Sequence, residues 1–362
     1  MKVCILLGTR PEIIKMAPLI RACRNNNVDY YILHTGQHYS YEMDKKICED
    51  LEIPQPKYNL GVGGQSYRKQ VGMMVRQIME VLTKDKPDIV FVQGDTNSVL
   101  AGALAANKLG VHIGHHEAGL RSHDTTMLEE TNRIITDHIA DFLFAPTKDA
   151  LKNLKEEGIN EGKVFYTGNT VVDAINQNLE LADKKKDVLS DLNIESKKFV
   201  LVTAHRAENV DNVEKLKGIF DGLIMVEQYL KLPIVYPIHP RTRKMVEEYK
   251  IDVPERIKLI EPVGYLEFLQ LEANSKLIIT DSGGIQEEAC ILHIPCVTIR
   301  ENTERPETID SGANILAGTE PKRILKATRE MLEKPKTWDN PFGDGNAGEN
   351  ILKIWIENAR TD

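Results

Sequence analysis

The chain has 362 residues, 41% of them hydrophobic and 28% charged, with a formal net charge of −8. At roughly 100 to 200 residues per domain this is length for two cores, and the apolar content excludes a disordered chain. The acidic total argues against general nucleic-acid binding, which gathers Lys and Arg against phosphate, and no apolar run approaches the roughly 18 residues of a membrane-spanning helix.

Apolar β-branched runs alternate with helical patterns almost from end to end, which predicts β-α-β units and parallel sheets. The expected strands of the first half are 2–7, 30–34, 88–93, 112–115, 141–145 and 163–167. Those of the second half are 198–203, 234–237, 257–260, 276–280, 296–299 and 314–316. The stretch 176–196 carries no strand pattern and reads as a helix and a charged linker, so the crossover belongs there. The expected domains are 1–170 and 171–346, with a last helix at 347–362 packing back on the first. The start Met1–Leu7 is apolar but meets Arg10-Pro11-Glu12 before a signal-peptide core completes, so a cytoplasmic location is expected. The five cysteines are odd in number and lack C-x-x-C spacing, a pattern of buried thiols more than of disulfides or zinc.

In open parallel sheets ligands bind beyond the C-terminal strand ends, so the residues after each strand carry the functional signal. After the first strand comes Gly8-Thr9-Arg10-Pro11-Glu12, with Pro11 suited to a first helical turn and Lys15 one turn on. Arg10 and Lys15 can face one anion there, or be solvated side chains. Asp95 in Gly94-Asp95-Thr96 follows the third strand of the expected set, where it is either the cap of the next helix or a functional carboxylate. His112 to Arg121 holds three histidines and Glu117 at a strand exit. Adjacent side chains of an extended segment point to opposite faces, so His115 and His116 do not chelate one ion readily and a metal is not expected. Glu129 and Arg133, four apart on a helix, are spaced for an ion pair. In the second half His205 and Arg206 leave a strand, and His205 is either structural or a proton donor. Ser282-Gly283-Gly284 forms a phosphate-type turn with Glu288 further along the helix, and Arg305-Pro306-Glu307 repeats the order of residues 10 to 12. Dinucleotide and ATP fingerprints, Gly-x-Gly-x-x-Gly after the first strand and Gly-Lys-Ser/Thr, are absent from the sequence.

Together with Gly168-Asn169-Thr170 and Thr280–Glu288, these segments in this order resemble the non-hydrolysing UDP-N-acetylglucosamine 2-epimerases along essentially the whole chain. The resemblance implies a GT-B fold, two Rossmann-like domains whose parallel sheets face a central cleft holding the UDP-sugar. It further implies a homodimer with no metal or nicotinamide cofactor. Asp95, Glu117 and Glu129 would be the catalytic acids, His205 a pyrophosphate contact and acid for departing UDP, and Arg133 a partner of Glu129. Arg10 and Lys15 would touch substrate, Ser282, Gly283 and Gly284 would hold the diphosphate, Glu288 the ribose, and Arg305 the ligand from its loop. The chain departs from the bacterial pattern at His205-Arg206-Ala207-Glu208 and at Gln37-His38-Tyr39-Ser40-Tyr41. Many bacterial members bind an activating second substrate near that region, and His239 resembles a residue beside it, so allostery stays open. A hydrolysing epimerase, a GT-B glycosyltransferase and a nucleotide-sugar sensor are the competing readings.

Overall fold

The computed structural model describes residues 1–37, 41–64, 67–124 and 126–359, with backbone alone at 41–43, 67 and 68. His38, Tyr39 and Ser40 of the divergent loop therefore lie outside the described residues. Two compact units are present, Met1–Gln177 with Phe342–Asp362, and Asn178–Pro341.

The first unit carries β1 (Lys2–Leu7), β2 (Asp29–His34), β3 (Tyr58–Asn59), β4 (Ile89–Gln93), β5 (His112–His116), β6 (Phe142–Ala145) and β7 (Val164–Tyr166). They form one sheet in the order β3-β2-β1-β4-β5-β6-β7, every pair parallel. The second unit carries β8 (Val200–Thr203), β9 (Ile234–Pro237), β10 (Ile257–Ile260), β11 (Leu277–Thr280), β12 (Cys296–Thr298) and β13 (Asn314–Leu316). Their order is β10-β9-β8-β11-β12-β13, again parallel throughout. Every strand expected from the sequence is present, with ends within two residues of the expected ones. The additional strand is β3, whose two residues are too short to show a period.

Helices cover both faces of a parallel sheet, so its central strands must be apolar on both sides. Ile89-Val90-Phe91-Val92-Gln93 is buried at every position, and so is β1 after Lys2. In both sheets the strand order reverses once, between β1 and β4 in the first and between β8 and β11 in the second. At such a switch point the flanking loops diverge and leave a crevice beyond the strand ends. Gly8–Arg10 and Gly94–Thr96 border one crevice, and Ala204–Arg206 and Asp281–Ser282 border the other.

The helix Thr170–Ala182 contains the first boundary. Arg21 donates to Gln177 at 2.6 Å on one side of it, and Gln270 donates to the Ala182 carbonyl at 2.6 Å on the other. The chain returns to the first unit at Phe342, whose carbonyl accepts from Asn169 at 2.8 Å. The last helix, Ala347–Asn358, then lies on the helix Arg10–Asn25, with Asp173 accepting from its first amides, Ala347 and Gly348. Its Trp355 packs edge-on against Phe142 at 5.4 Å. All five cysteines are buried free thiols. Among the described residues no helix is long and apolar enough to cross a membrane.

One glycine is indispensable to the turn after β5. Gly119 has φ 81°, and a Cβ there would lie 2.3 Å from the Ala150 carbonyl oxygen. Gly158 has φ 75° but open space around it. Gly119→Ala is expected to cost roughly 2 to 4 kcal/mol of unfolding free energy in urea titrations, and Gly158→Ala about 1 kcal/mol. Equal costs would mean that the turn relaxes.

Candidate functional site

The switch point of the first unit gathers buried charge. After β1, Thr9 caps the helix Arg10–Asn25, and Glu12 reaches back to accept from the Gly8 and Thr9 amides at 2.6 and 2.7 Å. This is a capping box, which satisfies amides that a helix start leaves outside its own ladder. Thr96 donates to the other Glu12 oxygen at 2.6 Å, tying the β1 exit to the β4 exit. Burial pushes the Glu12 carboxyl up to about 7, against these three donors, which favour the anion.

Glu117 follows β5 with φ 65°, a left-handed backbone that non-glycine residues seldom take. The side chain is buried and fully engaged: Lys15 at 2.5 Å and Asn169 at 3.0 Å meet one oxygen, and Gln93 at 2.5 Å meets the other. Lys15, one turn into its helix, is thereby drawn to the strand exits instead of solvent. Asp95, at the β4 exit, pairs with Arg133. The cap of the helix Asn97–Leu109 is Thr96, which accepts from Val99, so Asp95 is not spent on capping. Arg133 also binds Glu130 at 2.9 Å. Burial opposes ionisation of Glu130, yet the Ser122 and His123 amides, the Ser122 hydroxyl and Arg133 hold its carboxyl below the usual range.

Glu129 stands exposed at the start of the helix Leu128–Ile139. The expected Glu129–Arg133 pair is therefore corrected: Arg133 is buried and takes Asp95 and Glu130 on the inward face of the helix, while Glu129 faces out. Arg10 is half-exposed, with Nε 4.0 Å from Asp44, and is not among the partners of Glu117. His115 has both ring nitrogens occupied, by Asp137 at 2.6 Å and the Gly94 carbonyl at 2.8 Å. His116 accepts from the Thr170 amide at 3.4 Å. Among the described residues no group of three or more His, Cys, Asp or Glu side chains is arranged to hold a metal ion.

In the second unit the fully buried Asp281 organises the crevice. Its oxygens accept from the amides of His205 and Arg206 at 3.0 to 3.1 Å and from Asn209 at 3.2 Å. The His205 ring turns its Nδ1 to the same carboxylate at 3.3 Å. Ser282 precedes the helix Gly283–Ile291 without capping it through its side chain. The first amides of that helix lie outside the intrahelical ladder and carry the positive dipole end, a seat for an anion. Beside it is a cavity of about 280 Å³ lined by His205, His239, Pro262, Val263, Phe268 and Ser282. Burial, with His205 and Arg241, lowers the His239 pKa. Glu288 lies one turn and more into the same helix, half-buried. Arg305 is held by Glu287 at 2.7 Å and donates to the Glu304 carbonyl, so its charge is partly spent inside its own loop.

Gln93, Asn169, Glu130 and Asp281 are the supporting residues that strand-exit reasoning did not single out. Gln93 had a signal, a polar residue closing a buried apolar strand. Asn169 and Asp281 stood inside segments of the resemblance but without a role, and Glu130 had no signal, since its amide partners lie in a turn of irregular backbone.

A family model described as UDP-N-acetylglucosamine 2-epimerase matches residues 21–355. The chain is similar to the UDP-N-acetylglucosamine 2-epimerase of Methanocaldococcus jannaschii, 53% identical over 360 residues with 98% of each chain covered. It is likewise similar to that of Methanococcus maripaludis, 54% identical over 359 residues with 98% of each covered. A crystal structure of the Methanocaldococcus jannaschii UDP-GlcNAc 2-epimerase in complex with UDP-GlcNAc and UDP matches with a TM-score of 0.88. That match has 53% identity and covers 99% of this chain and 100% of the other.

His116, beside Glu117, is fully buried, and its pKa falls to about 4 because burial and the Lys15 charge outweigh the carboxylate. The unfolded chain takes up this proton near pH 6.5, so the stabilisation is complete above that pH and is lost as pH falls toward 4. Between pH 7 and pH 5 the unfolding free energy of the parent is expected to drop about 2 kcal/mol more than that of His116→Gln. Parallel pH profiles in urea titrations would refute a neutral buried imidazole.

Proposed function

The chain belongs to the UDP-N-acetylglucosamine 2-epimerase family, and on that premise we propose that it interconverts UDP-N-acetylglucosamine and UDP-N-acetylmannosamine without net hydrolysis. The observation that carries the reading is Glu117, a buried carboxylate on left-handed backbone at the β5 exit, fixed by Asn169 and by Lys15 and Gln93 from the neighbouring switch point. Strained backbone held by so many partners is a feature of reacting centres.

The chemistry needs such groups. The C2 hydrogen of the sugar is not beside a carbonyl, so it becomes acidic only as positive charge grows at C1. The C1–O bond to UDP breaks with its electron pair leaving on the diphosphate, and a carboxylate takes the C2 proton, giving 2-acetamidoglucal. A proton then returns to the opposite face of C2, and a diphosphate oxygen attacks C1. No atom is gained or lost. Asp95, Glu117 and Glu129 supply the carboxylates that move the proton and offset the charge at C1. Lys15 and Arg133 bring positive charge against two of them, Glu117 and Asp95. Arg10 adds a cation for the substrate.

The second unit binds the nucleotide in this reading. The turn at Ser282, Gly283 and Gly284 takes the diphosphate, Glu288 accepts from the ribose hydroxyls, and the cavity of about 280 Å³ takes the base. His205, oriented by Asp281, contacts the diphosphate and protonates it on departure. Arg305 approaches from its loop once released from part of its pairing with Glu287. As the family resemblance implies, the enzyme works as a homodimer, with no metal or nicotinamide.

Incubation with UDP-N-acetylglucosamine in D2O, followed by NMR, is expected to yield UDP-N-acetylmannosamine deuterated at C2. Free N-acetylmannosamine and UDP would establish the hydrolysing alternative, and product without deuterium would eliminate the proton-transfer mechanism. Asp95→Asn and Glu117→Gln are expected to lower kcat by about 100-fold or more while leaving UDP affinity within about threefold. A loss of affinity alone would make either residue a binding group.

A further inference from the structure

Glu272 is a buried acid that the reaction described above does not use. It sits on the helix Tyr265–Asn274, with 0% of its surface exposed, and neither carboxyl oxygen meets an N–H or O–H donor in hydrogen-bond geometry. Its ion-pair partner is no Lys or Arg among the described residues. An isolated buried carboxylate without donors costs so much desolvation that the group takes up a proton instead. The helix packs on Gly283–Ile291, and the side chain it meets there is Glu288. Burial, and then the negative charge and hydrogen bond of Glu288, raise the Glu272 carboxyl well above the ordinary carboxylate range. The other acids nearby are already committed: Glu287 to Arg305, and Asp281 to His205, Arg206 and Asn209. The Cys296 thiol on β12 is buried and held neutral.

We propose that Glu272 is a positioning residue for Glu288, donating one O–H hydrogen bond to its carboxylate so that the other oxygen faces the ribose hydroxyls of uridine diphosphate. An apolar side chain of similar volume would fill this space with less desolvation cost. What only an acid or amide supplies there is a donor aimed at Glu288. A neutral acid bonded to a carboxylate is a charge-assisted pair, short and directional. It sets one orientation of the Glu288 carboxylate on its half-buried helix face. The inference rests on the reading that Glu288 contacts ribose.

Calorimetric titration with UDP and with 2′,3′-dideoxy-UDP tests both statements separately. The parent is expected to prefer UDP. Glu272→Leu is expected to weaken UDP binding about tenfold and to erase the preference, with dideoxy-UDP affinity unchanged. Glu272→Gln, whose amide nitrogen still donates to Glu288, is expected to stay within about twofold of the parent for both nucleotides. A preference that survives in Glu272→Leu overturns the proposal, as does equal weakening for both nucleotides or a Gln variant that behaves like Leu. A parent without preference removes the ribose role of Glu288, and the proposal with it. Independently of how the Leu variant folds, the infrared spectrum of the parent at about pH 8.5, above the Glu12 carboxyl at about 7, is expected to show a buried carboxylic acid band that shifts on UDP binding. Glu272→Gln should lack that band, and its persistence there would refute the assignment.

Discussion

Both units depend on one topological constraint. When every strand runs the same way, each connection crosses a face of the sheet and strand order must reverse for helices to cover both faces. Between β1 and β4, and between β8 and β11, the loops depart in opposite directions and leave a crevice beyond the strand ends. Arg10, Asp95, His205 and Ser282 stand at these two places, and Glu117 at the neighbouring β5 exit reaches Lys15 and Gln93 there. Beneath them β4 and β11 are buried at every position, β1 after Lys2 and β8 before Thr203, so the loops rest on a packed base.

On that base, the positions of the charged groups follow from satisfaction of backbone donors. Glu12 accepts from two amides at the β1 exit and from Thr96 at the β4 exit, linking the strands at the switch point. Asp281 does the equivalent work in the second unit by collecting the His205 and Arg206 amides. Neither carboxylate is a candidate reacting group. Each holds a loop so that another side chain, Asp95 or His205, is presented. Glu117 has its own set of donors, and Lys15 among them brings a positive charge to this buried side chain.

The sequence made much of this legible, because strand exits are marked by a change from apolar runs to polar residues. Arg10, Asp95, Glu117, His205 and Ser282 all stand where that change predicts. Three features were illegible. Arg133 turned from Glu129 to Glu130 and Asp95, a choice between neighbours on one helix that depends on which face is buried. Thr96 took the cap that Asp95 was spaced to take. Glu272 reads as one more acid on an amphipathic helix until its burial against Glu288 is seen.

By itself, then, the sequence determined the α/β class, twelve of the strands within two residues of their ends, and the segments that border each switch point. These depend on local periodicity and on turn chemistry, which neighbouring residues encode. Only the tertiary structure decided which carboxylate meets which cation, which acid is protonated, and which glycine cannot be replaced. Those outcomes depend on burial and on partners up to 102 residues away, such as Arg133 with Asp95 and Lys15 with Glu117. Desolvation has no signature along the chain, because it is set by what the rest of the fold packs around each group.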